Sequence, residues 1–201
     1  MTWLRRNRYW LLAMPLVLAL TVAASACNVK RFWYDAELRH AIATAEPGEF
    51  VTATDEYTDP FGDTSRTLRV RFVEVDESPT YPSGDGEAPP PAGVKAVVVR
   101  LEFEADPAET LNICQVTVED TEGRQYIVPD SFGQSTPCLP DDRTGPQLPA
   151  TRDTRRGYVV PGEERPPTWQ AGPVFLMPED AEVSRVLIWW DRPDYVELPA
   201  R

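Results

Sequence analysis

Apolar and polar residues alternate along most of this chain after residue 49. "RTLRVRFVEV" sets Leu68, Val70 and Phe72 against Arg69 and Arg71. "KAVVVRLEFEA" sets Val97, Val99, Leu101 and Phe103 against Val98, Arg100, Glu102 and Glu104. A period of two is the pattern of a half-buried strand, so both stretches predict strands. "ICQVTVEDTEGRQYIV" predicts a third with Cys114, Val116 and Val118 on one face, a tight turn at Thr121 to Gly123, and a fourth with Tyr126 and Val128, forming a hairpin. "EFVTATD" predicts a first strand, and "GYVVPGE", "GPVFLMP" and "SRVLIWW" three more. Seven or eight short strands separated by turn signals predict an all-β antiparallel sandwich.

The pattern differs before residue 49. Tyr9 to Val29 is 21 residues without a charge, enough for a helix to cross the roughly 30 Å hydrocarbon core. Arg5, Arg6 and Arg8 precede it, which orients the amino terminus to the cytoplasm and the rest of the chain outside. Trp3, Tyr9 and Trp10 flank one end and Phe32, Trp33 and Tyr34 the other, at the two expected headgroup levels. Ala24-Ser25-Ala26 also fits a signal-peptidase site, and with Cys27 a weak lipobox, so lipidation at Cys27 and secretion are the alternatives to an uncleaved anchor. All three leave the body extracytoplasmic. "WYDAELRHAIATAE" is rich in helix formers and stops at Pro47-Gly48, predicting a helical stalk. The resulting organisation is a cytoplasmic start at 1–8, a membrane or signal helix at 9–29, a juxtamembrane stalk at 30–48 and a sandwich at 49–201. A mobile Pro/Gly-rich connection is expected at 77–93.

Composition narrows the function. The 201 residues allow one domain plus an appendage. Five of the 20 basic residues lie in the first 31, which hold no acid, so the remainder sets 15 bases against 32 acids and carries −17. Such a body is repelled by phosphate backbones, which argues against nucleic acid as a partner. Two lysines against 18 arginines suit a GC-rich bacterial genome.

"TLRVRFVEV", "GVKAVVVRLEFEA", "QVTVEDTEGRQYIV", the Pro161 to Glu163 turn and "GPVFLMPEDA" together resemble the bacterial telokin-like immunoglobulin-like domains of secreted, lipidated or membrane-anchored proteins, over about Arg66 to Trp190. The resemblance implies an immunoglobulin-like sandwich with an extracytoplasmic role. "EADPAET" and the long connection at 77–93 depart from that pattern.

Candidate chemistry is sparse. The single histidine, His40, lies outside the strand-rich body, which leaves no base there for a serine or cysteine nucleophile. The three cysteines lack metal-ligand spacing, and no phosphate or dinucleotide loop occurs, so no metal or cofactor is expected. "DEYTDPFGDTS" gathers Asp55, Glu56, Asp59 and Asp63 and is read as a solvated acidic turn, with calcium as the alternative. Arg143, Arg152, Arg155 and Arg156 form a basic stretch read as solubilising. Cys114, inward on a strand, and Cys138, at the end of "PDSFGQSTPC", are expected to form a disulfide, closing a loop at about 3.5 kcal/mol of entropic gain. Leu187 and Trp189 fall on the face of "SRVLIWW" opposite Val186, Ile188 and Trp190, and are the candidate contact for a partner in the envelope. The expectation is a membrane-anchored module with a binding or envelope-organising role, with a carboxylate-dependent envelope hydrolase as the alternative.

Overall fold

A computed structural model of the chain describes residues 3, 6–29, 34, 36–59, 62–84, 86–111, 113–129, 136–140, 143–146 and 163–200. The first element is a helix, α1 (Arg8–Val29), apolar on every side and interrupted by no charge after Arg8. Its most apolar stretch, Arg8–Ala26, is covered by no other part of the chain among the described residues. A helix hydrophobic all round is at home in lipid or in the middle of a large core, and here no core surrounds it.

Among the described residues twelve strands follow: β1 (His40–Thr44), β2 (Val51–Asp59), β3 (Gly62–Ser78), β4 (Tyr81–Ser83), β5 (Gly86–Ala88), β6 (Val94–Glu104), β7 (Gln115–Asp120), β8 (Gln125–Ile127), β9 (Thr168–Ala171), β10 (Val174–Pro178), β11 (Val183–Trp189) and β12 (Asp194–Pro199). They build a β-sandwich. One sheet runs β1-β12-β11-β7-β8; the other runs β10-β6-β3-β2, with β9 paired to the same strand β6 beside β10. Every pairing is antiparallel except β1 with β12. The core lies between the sheets. Val70, Val99, Leu101, Phe103, Phe175 and Met177 face it from one side, and Val116, Val118, Val186, Ile188, Val196 and Leu198 from the other. These are the inward positions of the alternation, and each buried aliphatic or aromatic side chain contributes about 1.5–3 kcal/mol.

The alternation in β3 does not continue unbroken. A register shift between Phe72 and Glu74 inserts an extra residue against β6, so that Val75 takes up the inward role and Val73 turns to solvent. The outward face of this sheet is a ladder of opposite charges across β3 and β6. Arg69 meets Glu104, Arg71 meets Glu102 and Arg100 meets Asp76 at 2.7 Å, whereas Lys95 and Glu77, 3.1 Å apart, lie on the Val97 side of the sheet, at its end.

Three sequence expectations need correction. The predicted helical stalk holds strand β1 at its carboxy-terminal end, hydrogen-bonded in parallel to β12. A short isolated helix is marginal in water, whereas as a strand this segment completes the sheet and rests Ile42 and Ala43 against the core. The sandwich therefore starts at residue 40 and not at 49. In the connection at 77–93, β3 runs on to Ser78 and β4 pairs with β5, an arrangement tied by the Thr80 hydroxyl donating to Glu87 at 2.8 Å. Strands β9 and β12 were not anticipated, whereas "GYVVPGE" falls mainly on residues 157–162, outside the described ones.

Behind β9 the fold is pinned by a disulfide and a buried cation. Cys114 and Cys138 are bonded, with Cα atoms 5.9 Å apart. The Trp169 indole donates to the Cys138 carbonyl at 2.8 Å and stacks on Phe103 at 5.4 Å between centroids. Over its other side lies Arg165, fully buried, which donates to the carbonyls of Asp106 (2.8 Å), Glu109 (3.0 Å) and Thr144 (3.3 Å). One side chain thus gathers two irregular segments. Gly145, at φ 74°, passes so close that a Cβ there would lie 3.1 Å from the guanidinium.

The β7–β8 turn depends on Asp120. Its buried carboxylate accepts the backbone N–H groups of Glu122 and Arg124, both at 2.9 Å, the Arg124 guanidinium at 2.7 Å and the Tyr126 hydroxyl at 2.9 Å. Burial pushes its proton affinity up, but these donors outweigh burial and hold the carboxyl down at about 2, against an ordinary 3.8. A depressed carboxyl stabilises the fold fully above its ordinary value, and that stabilisation is lost as pH falls toward the folded one. The stability difference between the wild type and Asp120→Asn, from thermal unfolding at a series of pH values, is expected to shrink steadily between about pH 4 and 2. A difference independent of pH would contradict this role.

Candidate functional site

Strand β3 pairs with β6 only from Arg69 onward, but with β2 from Gly62 to Val70. Residues 53–59 and 62–68 therefore project past the sheet as a two-stranded ribbon. Its inner face would be costly to leave open, because Asp55 stands directly opposite Arg66 and both are buried, with 6% and 2% exposure. Asp55 Oδ2 lies 2.9 Å from Arg66 Nε. The angle there is too poor for a hydrogen bond, and Arg66 Nη1 has no partner among the described residues. Stacking supplies the rest: the guanidinium carbon is 3.7 Å from the Tyr57 ring centroid and 5.2 Å from that of Trp190, on the opposite sheet. Burial raises the Asp55 carboxyl against the attraction of Arg66, with Asp194 and Asp191 adding to the rise, while the same burial lowers Arg66.

Beside this pair, between the ribbon and the β11–β12 turn, opens a cleft of about 880 Å³. Asp55, Glu56, Asp63, Asp191 and Asp194 line it, with Arg192 as the only basic lining residue. Asp63 accepts the Thr58 hydroxyl at 2.7 Å, and Asp194 meets His40 Nδ1 at 2.8 Å. Glu56 and Asp191 have no side-chain partner among the described residues. The turn is also where the chain arrives from α1: the N–H groups of Arg39 and His40 donate to the Pro193 carbonyl, and Arg192 donates to the Ala36 carbonyl at 2.8 Å. The cleft thus sits at the end of the sandwich that holds Ala36, Arg39 and His40.

The residues singled out from sequence fall as follows. Leu187 is on the outward face as expected but is shut away within the chain at 1% exposure. Trp189 is half-buried; its indole donates to the Thr117 hydroxyl at 3.0 Å and the Arg192 guanidinium covers its ring at 4.6 Å. Only Trp189 of the two therefore offers surface. Cys27 lies in the backbone of α1 and its side chain is outside the described residues, as are Arg152, Arg155 and Arg156; Arg143 is exposed. Of the acidic turn, Asp55 is committed to Arg66 and Asp63 to Thr58, while the Asp59 side chain is outside the described residues. Among the described residues no group of three or more His, Cys, Asp or Glu is placed to hold a metal ion. The other acid raised by burial, Glu109, lines a separate groove with Pro107 and Thr168. Asp55 and Glu109 are therefore not a pair in one cleft, which is the arrangement a two-carboxylate hydrolase needs.

The fold and this cleft define a two-sheet β-sandwich domain preceded by an uncovered apolar helix. No family model matches the chain, and no curated protein matches it either. Two solved structures are similar in shape. One is an uncharacterized β-sandwich protein from Clostridium difficile 630, with a TM-score of 0.37 and 9% identity, covering 81% of this chain and 97% of that one. The other is a conserved hypothetical protein from Bacillus anthracis, with a TM-score of 0.34 and 10% identity, covering 76% and 97%.

Removing one member of a buried ion pair leaves the other charged and uncompensated, at a cost of about 3–5 kcal/mol, whereas removing both costs far less. Asp55→Ala is accordingly expected to destabilise the protein by about that amount, and the double variant Asp55→Ala/Arg66→Met to recover most of the loss. Chemical denaturation of the four proteins in the cycle checks this; additive losses would show that the two side chains act independently.

Proposed function

We propose that this chain is a single-pass membrane protein whose β-sandwich stands outside the cytoplasm and works by binding, as an organiser of the cell envelope. The observation that carries the reading is the contrast between the two parts. The sandwich closes its core without α1, and α1 presents Trp10, Leu12, Leu16, Leu20 and Val22 to its surroundings, all more than half exposed. A helix of this kind needs a bilayer, and Arg5, Arg6 and Arg8 favour a cytoplasmic amino terminus. The bonded Cys114–Cys138 pair supports an oxidising compartment for the body.

Binding is favoured over catalysis by where charge is left over. The outer face of the β3–β6 sheet is neutralised strand against strand, and on the other sheet Arg185 bridges Glu119 (2.7 Å) and Glu197 (3.1 Å). The cleft beside the β11–β12 turn keeps unneutralised acids. The exposed part of Trp189 is the apolar contact available to a partner on the neighbouring face. Kinship with the telokin-like domains belongs to this proposal and rests on the strand-and-turn motifs alone. Lipidation at Cys27 is the alternative form of tether.

Intact-mass measurement of protein extracted from its native membrane is expected to give the uncleaved chain, with α1 retained. A mature form beginning at diacylated Cys27 would replace the helical anchor with a lipid one, and a soluble form lacking the first segment would end the tether reading.

A further inference from the structure

We propose that the outer edge of β2 receives an extended, basic segment of a partner protein as an added strand, with its lysine or arginine side chains reaching into the acidic cleft. This deepens the binding-module reading and rests on it.

The backbone geometry makes the edge available. Asp59 pairs with Gly62 across a two-residue connection, and hydrogen-bonded and non-bonded pairs alternate from there. Asp55 and Tyr57 therefore bond to β3, while Thr54, Glu56 and Thr58 direct N–H and C=O away from it. Two observations agree with that phase. The Thr54 and Thr67 hydroxyls lie 3.1 Å apart, as side chains of a non-bonded pair should, and the Thr67 backbone lies close enough to the Glu109 carboxylate to lower its proton affinity. Near Thr67, then, Glu109 lies against the far edge of β3, whereas among the described residues β2 pairs on one side only.

Some of the usual protections of an edge are missing here, although Asp55 turns a charge inward and β1 packs against part of the strand. β2 runs for nine residues with no proline, no lysine and no register shift. The remaining outer edges are less inviting: β8 has three residues, β1 has five with a shift, and β9 and β10 are separated by Gly172-Pro173.

Charge selects the occupant. A second copy pairing β2 against β2 would bring Glu56 and its acidic neighbours against their own kind, on bodies of −17 each. A basic strand has the opposite sign for Glu56, Asp63, Asp191 and Asp194, and among the described residues Glu56 and Asp191 make no side-chain hydrogen bond or ion pair. Backbone pairing would supply affinity and the cleft specificity.

The test uses the full chain in nanodiscs of zwitterionic lipid, titrated with fluorescent alternating Lys-Thr, Glu-Thr and N-methylated Lys-Thr peptides of about nine residues. The Lys-Thr peptide is expected to bind, more weakly as salt rises, and the other two to fail. Proline at an outward-facing edge position keeps the ladder to β3, so Glu56→Pro should weaken binding by at least about tenfold with the thermal midpoint unchanged. Should Glu56→Pro unfold, Glu56→Gln supplies the same test through charge alone, with a smaller loss expected. Equal binding of the Glu-Thr or N-methylated peptide, or binding of none, would overturn the proposal. In native membranes, a partner cross-linked equally by wild type and Glu56→Pro would overturn the edge assignment and leave the binding-module reading standing. Binding of the Lys-Thr peptide as expected, with no partner cross-linked in the membrane, would support the edge and count against the module's role.

Discussion

The pairing of β3 with β6 is the contact on which the other features hang. Through it Val70, Val99, Leu101 and Phe103 face one core, and the same pairing sets Arg69 against Glu104 and Arg71 against Glu102 on the outside. Because β6 stops at Glu104 while β3 extends back to Gly62, the first part of β3 has only β2 to pair with. That overhang creates the ribbon. The ribbon in turn must bury the Asp55–Arg66 pair, which it does by leaning on Trp190 of the other sheet, and the cleft is the space left beside that contact.

Energetically the two ends of the sandwich differ. Around β9 the buried Arg165 has three carbonyl acceptors and an indole beneath it, so its desolvation is largely met by hydrogen bonds. Arg66 has a carboxylate at poor angle and two rings, and both its Nε and its Nη1 lack a hydrogen-bond partner among the described residues, against Nε alone in Arg165. Buried polar groups left partly satisfied are costly and are found where a structure serves something besides its own stability. The less satisfied arginine is the one beside the open, acid-lined cleft.

Much of this fold was legible in the period-two pattern, because a strand half-buried in a sandwich must alternate, and the inward sets of β6, β7 and β11 follow it residue for residue. β1 was misread because "HAIAT" is short and carries good helix formers; only the unforeseen edge of β12 makes it a strand. β9 is four residues long, too short for a pattern to show. The cleft was half legible. "DEYTDPFGDTS" drew notice as an acidic run, yet its meaning depends on register: the pairing of Asp59 with Gly62 sets Asp55 against Arg66, a pairing that alternation within one strand does not reveal. Asp191 and Asp194 join from the far end of the chain, and no local signal announces that meeting. The Cys114–Cys138 bond followed from the inward face of one cysteine and the loop that carries the other.

On the reading proposed above, the apolar helix crosses the membrane and the sandwich, whose strand β1 ties the arriving chain to β12, lies outside the cytoplasm. Glu87→Cys, on the exposed β4–β5 hairpin, probes this directly with a membrane-impermeant maleimide, the wild type serving as background. Labelling in right-side-out membrane vesicles without permeabilisation is the result expected. Labelling confined to inside-out vesicles would place the sandwich in the cytoplasm and contradict the account.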